Sequence, residues 1–344
     1  IQTHRFKNSK YIKENLNYTI ITNKNIEKDD IPCLILLHGL RDSSEDWLEK
    51  AKICENYLTL LESGKIKPLN IILLDSGYQG TSWYTNFYHN SECSYEDYIV
   101  KELLPIFREK FPKSKFSIAG FSMGGYGAFK LGLKHPDIFH VIGSFSGAIS
   151  IVRMSVNRRV IRIFNFLYIP KWLFASEDKL QFLRVFSSWG HKILQEDPYT
   201  LIKKLDKKKF KDRYFYASVG ENDVESHLML QQWTDTIGRM KKHGYDFIGY
   251  LCRDEVHTWD FVSRDLKNFL VYFNVGDRSW AISQNVRIGG KGVDGEDLTS
   301  PMSYAILDAY YDMNLPQPIL SVKLHKGTPD ELYMSLGRFF FTPG

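Results

Sequence analysis

A Gly-x-Ser-x-Gly motif centred on Ser122 carries the clearest indication of chemistry in the sequence. It stands between a predicted strand, Lys115–Ala119, and a predicted helix, Gly125–Lys134. A serine in a tight strand-to-helix turn adopts a strained backbone, so the residues two before and two after it must be small. Gly120 and Gly124 meet this requirement. The motif therefore predicts that Ser122 is a nucleophile whose hydroxyl projects from the edge of a sheet.

A serine hydroxyl is a poor nucleophile unless a base removes its proton. In proteins with this motif the order along the chain is serine, then a carboxylate, then histidine. His257 follows the last predicted strand, Asp246–Leu251, and precedes a C-terminal helix, which is where this topology delivers its histidine. His135 and His140 lie too close to the helix after the serine, and His243 ends a predicted helix. His257 is therefore the predicted general base.

The carboxylate that orients the histidine is expected in the loop after the predicted strand Tyr214–Val219. Two acids in that loop compete, Glu221 and Asp223. Asp223 stands where the predicted helix Asn222–Lys242 starts, so its side chain can turn inward. We predict Asp223 as the acid that holds the imidazole tautomer and stabilises the imidazolium, with Glu221 as the open alternative.

The developing oxyanion requires two backbone N–H groups. One is expected from Met123, next to the nucleophile, and the other from the turn after the apolar run Cys33–Leu37. Gly39 in that turn lets the backbone approach closely, and we predict Leu40 as the second donor, with Arg41 as the alternative. Because backbone groups supply the charge stabilisation, no cofactor is implied. The cysteines show no metal-ligand spacing, so no metal is implied either.

The elements that position these residues alternate between apolar runs and helical patterns, which is typical of a mainly parallel α/β sheet with helices on both faces. Cys33–Leu37 and Asn70–Leu74 are near-continuous apolar runs, as expected of strands buried on both faces. Apolar residues at helical spacing predict a helix over Tyr95–Phe111. The remaining predicted strands and helices are Tyr18–Thr22, Lys115–Ala119, Val141–Ser144, Tyr214–Val219 and Asp246–Leu251, and Trp47–Gly64, Gly125–Lys134 and Asn222–Lys242.

Two regions depart from this alternation. Residues 151–197 are rich in aromatic residues and arginines and contain no clear strand, which predicts a lid-like insertion over the pocket, or alternatively an extra pair of packing helices. The composition changes again after Phe273. We therefore expect an enzyme domain over residues 1–275 and a C-terminal appendage over residues 276–344.

The overall composition argues against a nucleic-acid-binding or membrane-spanning protein. The chain has 344 residues, 43% of them hydrophobic, and a formal net charge of +5, with no basic stripe interleaved with aromatics that would indicate nucleic-acid binding. The basic tract Lys203–Lys209 is interpreted as a solvated surface. No apolar run is long enough to predict a membrane span. Nothing in the four cysteines demands disulfides, which favours a reducing compartment such as the cytoplasm.

Residues 10–275 resemble the esterase D-like branch of the α/β-hydrolases, which includes tributyrin-type, feruloyl and acetyl-xylan esterases, S-formylglutathione hydrolases and mycolyltransferases. The resemblance implies an α/β-hydrolase fold, triad roles for Ser122, Asp223 and His257, and oxyanion donors at Leu40 and Met123. Relatives often carry Asp-Gly-Gly where this chain has Asp-Ser-Gly. The resemblance therefore does not assign the residues that form the acyl-pocket wall near Tyr78–Trp83. The shared stretches are Leu36–Gly39, Asp75 with Ser82–Asn86, Tyr95–Ile99 with Glu102 and Leu103, Gly120–Ala128, His135–Phe139, Gly220–Asp223 and His257–Asp260.

The C-terminal residues 280–344 resemble a fragment of a glycyl radical enzyme of the pyruvate formate-lyase type. Such enzymes need a catalytic cysteine and a radical glycine, and this segment contains no cysteine. The segment alone is therefore not expected to perform radical chemistry. The matching stretches are Ile288–Gly290, Asp294 with Gly295, Tyr304–Ala309 and Leu315–His325.

Together these features predict a serine esterase that hydrolyses short acyl esters or acylated sugars through an acyl-enzyme. Acyl transfer to an alcohol by the same triad is the alternative, because its first half-reaction is identical. Trp83 and Tyr84 are predicted to contact the small-molecule substrate, although packing roles suit them equally. An intact triad argues against the hypothesis of a non-catalytic binding module. A role as the partner of a radical enzyme would depend on the C-terminal appendage.

Overall fold

The computed structural model describes residues 1–23, 30–154, 177–186, 191–223, 228–274, 285–289, 307–311 and 320–324. Within these residues the centre is a nine-stranded sheet in the order β1-β2-β4-β3-β5-β6-β7-β8-β9. Its strands are β1 Gln2–Arg5, β2 Asn17–Ile21, β3 Cys33–Leu37, β4 Asn70–Leu74, β5 Phe116–Phe121, β6 Phe139–Phe145, β7 Tyr214–Gly220, β8 Phe247–Cys252 and β9 Asn285–Gly289. β1 pairs antiparallel with β2, and β2 pairs antiparallel with β4, whereas the remaining neighbours from β4 to β9 pair parallel.

Helices cover both faces of this sheet, as the alternating pattern predicts. The helical segments of the described part are α1 Asp46–Glu49, α2 Ile53–Glu62, α3 Tyr95–Asp97, a π-helical turn Tyr98–Leu103, α4 Leu104–Lys110, α5 Met123–Lys134, α6 Ile151–Met154, α7 Glu177–Phe186, α8 His191–Glu196, α9 Pro198–Lys204, a 3₁₀ turn Lys207–Phe210, α10 Met229–His243 and α11 Trp259–Asn274. None of them is both long and apolar enough to cross a membrane.

β3 shows why the central strands are apolar at every position. All five of its residues are fully buried. Ile35 and Leu37 belong to the core on the face covered by α5 and α10, whereas Leu34 and Leu36 belong to the core on the face covered by α2 and α11. Because neighbouring strands are in parallel register, the carboxyl ends of β3 and β5 lie side by side, and Leu37 pairs with Gly120.

The predicted fold class is confirmed, and the structure corrects several element boundaries. Cys33–Leu37 and Asn70–Leu74 have the predicted bounds. The single helix predicted over Trp47–Gly64 is wrong, because Lys52 adopts a left-handed conformation with φ 51° and separates α1 from α2. α10 begins at Met229, later than predicted, after Leu228 with φ 56°. Left-handed residues cannot continue a right-handed helix, and local apolar periodicity does not reveal them.

Two strands of the sheet were not predicted. β1 is a largely exposed polar edge strand, and β9 lies within the segment that the sequence assigned to the appendage. β9 nevertheless pairs parallel with β8, with Leu251 opposite Ile288. A further antiparallel pair is formed by β10 Leu307–Tyr311 and β11 Leu320–Leu324. The division at residue 276 stays a prediction.

The predicted lid falls largely outside the described residues. The parts that the structure describes are helical, in α6, α7 and α8. Phe182 and Phe186 of α7 pack edge-to-face against the Trp83 ring, with centroid distances of 5.4 and 5.8 Å. This portion of the insertion is therefore anchored to the rest of the described structure by an aromatic cluster.

Phe269 tests how α11 is held to the sheet. It is fully buried, and its ring packs against Phe145 and Tyr216 with centroid distances of 5.5 and 5.4 Å. Phe269→Ala is expected to lower the free energy of unfolding by about 3–5 kcal/mol, because it leaves a cavity between helix and sheet. The control Leu58→Ala, on the exposed side of α2, is expected to change it by no more than about 0.5 kcal/mol. Equal effects in urea titrations would contradict this packing.

Candidate active site

Ser122 occupies the turn between the end of β5 and the start of α5. Its backbone has φ 55° and ψ −116°, a strained conformation for a residue with a side chain. The surrounding backbone holds it there, because the Ser122 N–H donates to the Phe145 carbonyl at 3.0 Å and the Ser122 carbonyl accepts from the Ala148 N–H at 3.2 Å. The side chain is thereby presented at the carboxyl edge of the sheet.

The small residues of the motif have the steric role that the sequence predicts. A Cβ on Gly120 would lie 2.3 Å from the carbonyl group of Gly124. A Cβ on Gly124 would lie 2.1 Å from the Leu37 carbonyl oxygen at the end of β3. Both distances are far inside van der Waals contact, so only glycine lets β3, β5 and α5 meet at Ser122.

His257 lies within hydrogen-bond distance of both predicted partners. Its Nε2 is 2.9 Å from the Ser122 hydroxyl oxygen, and its Nδ1 is 2.7 Å from Oδ2 of Asp223. With the proton on Nδ1, the ring donates to the carboxylate and accepts from the serine, which is the tautomer a general base needs. The Phe121 ring packs on the imidazole at a centroid distance of 4.7 Å and limits its orientation.

Burial differs sharply between the base and the acid. The His257 side chain is 27% exposed, whereas that of Asp223 is 3% exposed. The predicted base is therefore accessible from solvent, and the carboxylate of the predicted acid is kept away from water. A buried acceptor held against the imidazole costs no reorganisation when the ring becomes charged.

The loop after β7 turns Asp223 inward by a close approach to the histidine loop. A Cβ on Gly220 would lie 2.4 Å from the Glu255 carbonyl oxygen, and the Asn222 N–H donates to that oxygen at 2.9 Å. The alternative acid, Glu221, instead accepts from the Asp254 backbone N–H at 3.3 Å. The structure thus brings Asp223 to the imidazole and leaves Glu221 on the other side of the turn.

The predicted oxyanion donors belong to two backbone segments that meet at Ser122. Met123 is the first residue of α5, where N–H groups have no acceptor within the helix. On the other side, a Cβ on Gly39 would lie 3.5 Å from the Ser122 Cβ, so the turn after β3 passes beside Ser122. The Arg41 N–H donates to the Gly80 carbonyl at 2.8 Å, which favours Leu40 over the alternative donor.

His38 fixes the turn after β3, a role that the sequence did not reveal. Its Nε2 accepts from the Ser76 N–H at 2.9 Å, and its Nδ1 donates to the Gly39 carbonyl at 2.8 Å. Burial lowers the pKa of His38, so the ring is neutral and can accept at Nε2. The only signal in the sequence was its position between an apolar strand and a glycine.

The predicted substrate contacts Trp83 and Tyr84 are both buried, with relative exposures of 5% and 0%. The Tyr84 hydroxyl donates to the His38 carbonyl at 3.0 Å, and the Trp83 ring packs edge-to-face against Tyr126 at 5.4 Å. These contacts favour the packing alternative that the sequence left open. Within the described residues, no group of three or more acidic, histidine or cysteine side chains is arranged to hold a metal ion.

Comparison with protein families assigns most of the chain. Residues 9–260 match the Esterase family, and residues 273–342 match the family described as pyruvate formate lyase-like. The chain is 27% identical over 256 residues to an acetyl esterase of Caldicellulosiruptor saccharolyticus, covering 71% of this chain and 84% of that protein. Both predicted resemblances are thereby confirmed.

Solved structures share the fold at lower identity. A ferulic acid esterase superposes with a TM-score of 0.61 at 20% identity, covering 79% of this chain and 96% of that chain. A substrate-bound, fluorophosphonate-binding serine hydrolase of Staphylococcus aureus superposes with a TM-score of 0.59 at 19% identity, covering 82% and 97%. These likenesses establish the α/β-hydrolase fold.

The competition between the two acids is directly testable. Asp223→Asn is expected to lower kcat by about four orders of magnitude, because an amide stabilises the wrong imidazole tautomer and carries no charge. Glu221→Gln serves as the matched control and is expected to stay within about threefold of wild type, since Glu221 accepts from a backbone N–H, a bond that the glutamine amide oxygen can also accept. Initial-rate kinetics on p-nitrophenyl acetate measure both, and the reverse ranking would refute Asp223 as the acid.

Proposed function

Because the chain belongs to the Esterase family, it is a carboxylic ester hydrolase, and we propose that it works through an acyl-enzyme formed on Ser122. The observation that carries this proposal is the continuous chain of hydrogen-bond contacts from the Ser122 hydroxyl through His257 to Asp223. A nucleophile within reach of a base, with that base oriented by a third group, is the arrangement that covalent ester cleavage requires.

In the first half-reaction, Ser122 Oγ attacks the ester carbonyl carbon while His257 Nε2 takes the hydroxyl proton. The carbonyl π bond opens, and the negative charge on its oxygen is stabilised by the N–H groups of Leu40 and Met123. When the tetrahedral intermediate collapses, the C–O bond to the alcohol breaks, and His257 returns its proton to the leaving oxygen. The acyl group then remains on Ser122, and the free alcohol departs.

In the second half-reaction, water takes the place of the departed alcohol. His257 accepts a proton from water as the water oxygen attacks the acyl carbon, and the same backbone donors stabilise the second oxyanion. Collapse releases the carboxylic acid and returns the proton to Ser122 Oγ. Asp223 stays ionised throughout and stabilises the transient imidazolium.

For the substrate, we propose short acyl esters, including acylated sugars. The relatives named acetyl esterase and ferulic acid esterase act on small acyl groups by name, which supports this class. The rings of Trp83, Tyr126, Phe182 and Phe186 also pack edge-to-face or tilted against one another beside the turn at 83–84. In the part of the chain that the structure describes, these rings pack closely and occupy the space beside the turn, which favours a short acyl group.

The acyl-enzyme is tested by replacing the nucleophile. Ser122→Ala is expected to reduce turnover of p-nitrophenyl acetate by roughly a millionfold without loss of fold, because the triad acts as a unit. Rapid acid quench of the wild type during turnover should yield a protein heavier by one acetyl group, with the label on the peptide that contains Ser122. Retained turnover in Ser122→Ala, with unchanged circular dichroism, would refute the proposal.

The substrate class is tested with a panel of esters. We expect kcat/KM for p-nitrophenyl acetate to exceed that for p-nitrophenyl palmitate by at least about tenfold, because the aromatic rings beside the turn at 83–84 are closely packed among the described residues. Acetylated and feruloylated sugars should release acetate or ferulate in the same assay series. A preference for the palmitate ester would exclude the short-acyl class while leaving the acyl-enzyme untouched.

A further inference from the structure

Lys130 is a fully buried lysine in the middle of α5, the helix that starts at the nucleophile. Its Nζ lies 2.5 Å from the Tyr84 carbonyl oxygen, 3.0 Å from the Thr85 hydroxyl and 2.9 Å from Oε2 of Glu96. An ammonium group carries three hydrogens, and these three acceptors satisfy all of them. A buried charge with a complete set of partners has a defined position and few rotamers.

The charge of Lys130 is balanced by a compact ionic cluster, formed by Lys130, Lys134, Glu96 and Glu196. Lys134 Nζ lies 2.9 Å from Glu96 and 3.0 Å from Glu196, so the second lysine contacts the same two carboxylates. Burial opposes ionisation of Glu96, but the cations around it prevail and hold its pKa well below the usual range. The carboxylate is therefore ionised at neutral pH and keeps the Lys130 ammonium in place.

Through these contacts Lys130 holds a strained turn. Trp83 and Tyr84 have φ values of 55° and 49°, two consecutive non-glycine residues in the left-handed region. Lys130 binds the Tyr84 carbonyl directly. The Thr85 hydroxyl, which accepts from Lys130, donates to the Trp83 carbonyl at 2.7 Å. Both carbonyl groups of the strained pair are thus restrained by one ammonium group.

The strained turn also holds the segment that carries a proposed oxyanion donor. The Tyr84 hydroxyl donates to the His38 carbonyl at 3.0 Å, at the point where β3 ends. Two residues later the chain reaches Leu40, whose N–H faces the oxyanion in the proposed mechanism. The path from Lys130 to this donor contains one hydrogen bond to a carbonyl, one rigid tyrosine ring and one further hydrogen bond.

We propose that Lys130 is a positioning residue for ester cleavage, which holds the oxyanion segment at His38–Leu40 through the Tyr84 turn. This inference rests on the proposed function, since it assigns Lys130 a part in the same site. Lys130 itself touches no reacting atom. Its effect is expected in kcat, because an oxyanion donor acts on the transition state and not on the bound substrate.

The mildest test removes only the hydrogen bond between the Tyr84 hydroxyl and the His38 carbonyl. Tyr84→Phe keeps the ring and deletes the hydroxyl that contacts His38. We expect kcat on p-nitrophenyl acetate to fall by about tenfold to a hundredfold with KM within about twofold, because a displaced donor stabilises the oxyanion less well. A direct substrate contact by Tyr84 would instead raise KM, so the split between kcat and KM separates the two roles.

The contact between Lys130 and the Tyr84 carbonyl is tested by a matched pair of variants in the ionic cluster. Lys130→Met is expected to lower kcat as Tyr84→Phe does, whereas Lys134→Met should leave kcat within about twofold. Lys134, whose side chain is 28% exposed, contacts the same carboxylates but not the Tyr84 carbonyl, so it controls for the loss of a cation from the ionic cluster. In the double variant Lys130→Met/Tyr84→Phe, the two reductions in kcat should not add, since both substitutions act through one path.

The outcomes separate the inference from the proposed function. An active wild type whose kcat is unchanged in Tyr84→Phe, or reduced equally in Lys130→Met and Lys134→Met, overturns the positioning role alone. A wild type inert toward both p-nitrophenyl acetate and a fluorophosphonate probe overturns the proposed function and this inference together. If Lys130→Met does not fold, Tyr84→Phe still decides the question, because it leaves the ionic cluster intact.

Discussion

The close backbone contact between the end of β3 and the first turn of α5 is the constraint on which the site depends. The α-carbon of Gly124 packs against the Leu37 carbonyl with no room for a side chain, and Gly120 packs against Gly124 in the same way. This contact forces Ser122 into a conformation that costs about 1–3 kcal/mol, which the surrounding sheet must offset. The same contact brings the turn after β3 beside the serine, so one steric constraint positions both the proposed nucleophile and a proposed oxyanion donor.

The sheet offsets the backbone strain at Ser122 because both of its faces are covered. Alternate residues of β3 enter two separate cores, and the strands on either side hold it in parallel register. A rigid strand end is needed here, since a misplacement of about 1 Å at a catalytic group can cost a hundredfold in rate. Polar contacts complete the restraint, because the neutral His38 ring accepts from the Ser76 N–H and the Tyr84 hydroxyl donates to the His38 carbonyl.

The sequence predicted those features that depend on local pattern. Cys33–Leu37 and Asn70–Leu74 were predicted with their observed bounds because a strand buried on both faces is apolar throughout. Ser122 and Asp223, predicted from motif and chain order, each lie within hydrogen-bond distance of His257 in the structure. Features that depend on contacts distant in sequence escaped prediction. Lys130 is recognisable only as a charge in an apolar helix, and its partner Glu96 lies on another element. The left-handed residues Lys52, Trp83 and Tyr84 carry no local signature.

The arrangement of one serine, one imidazole and two backbone amides around an oxyanion is tested most directly by a crystal structure of a phosphonylated or boronate-inhibited enzyme. The account predicts a covalent bond to Ser122 Oγ and an inhibitor oxygen about 2.7–3.1 Å from the N–H nitrogens of Leu40 and Met123. An adduct on another residue, or an inhibitor oxygen that points to solvent and away from both amides, would contradict it.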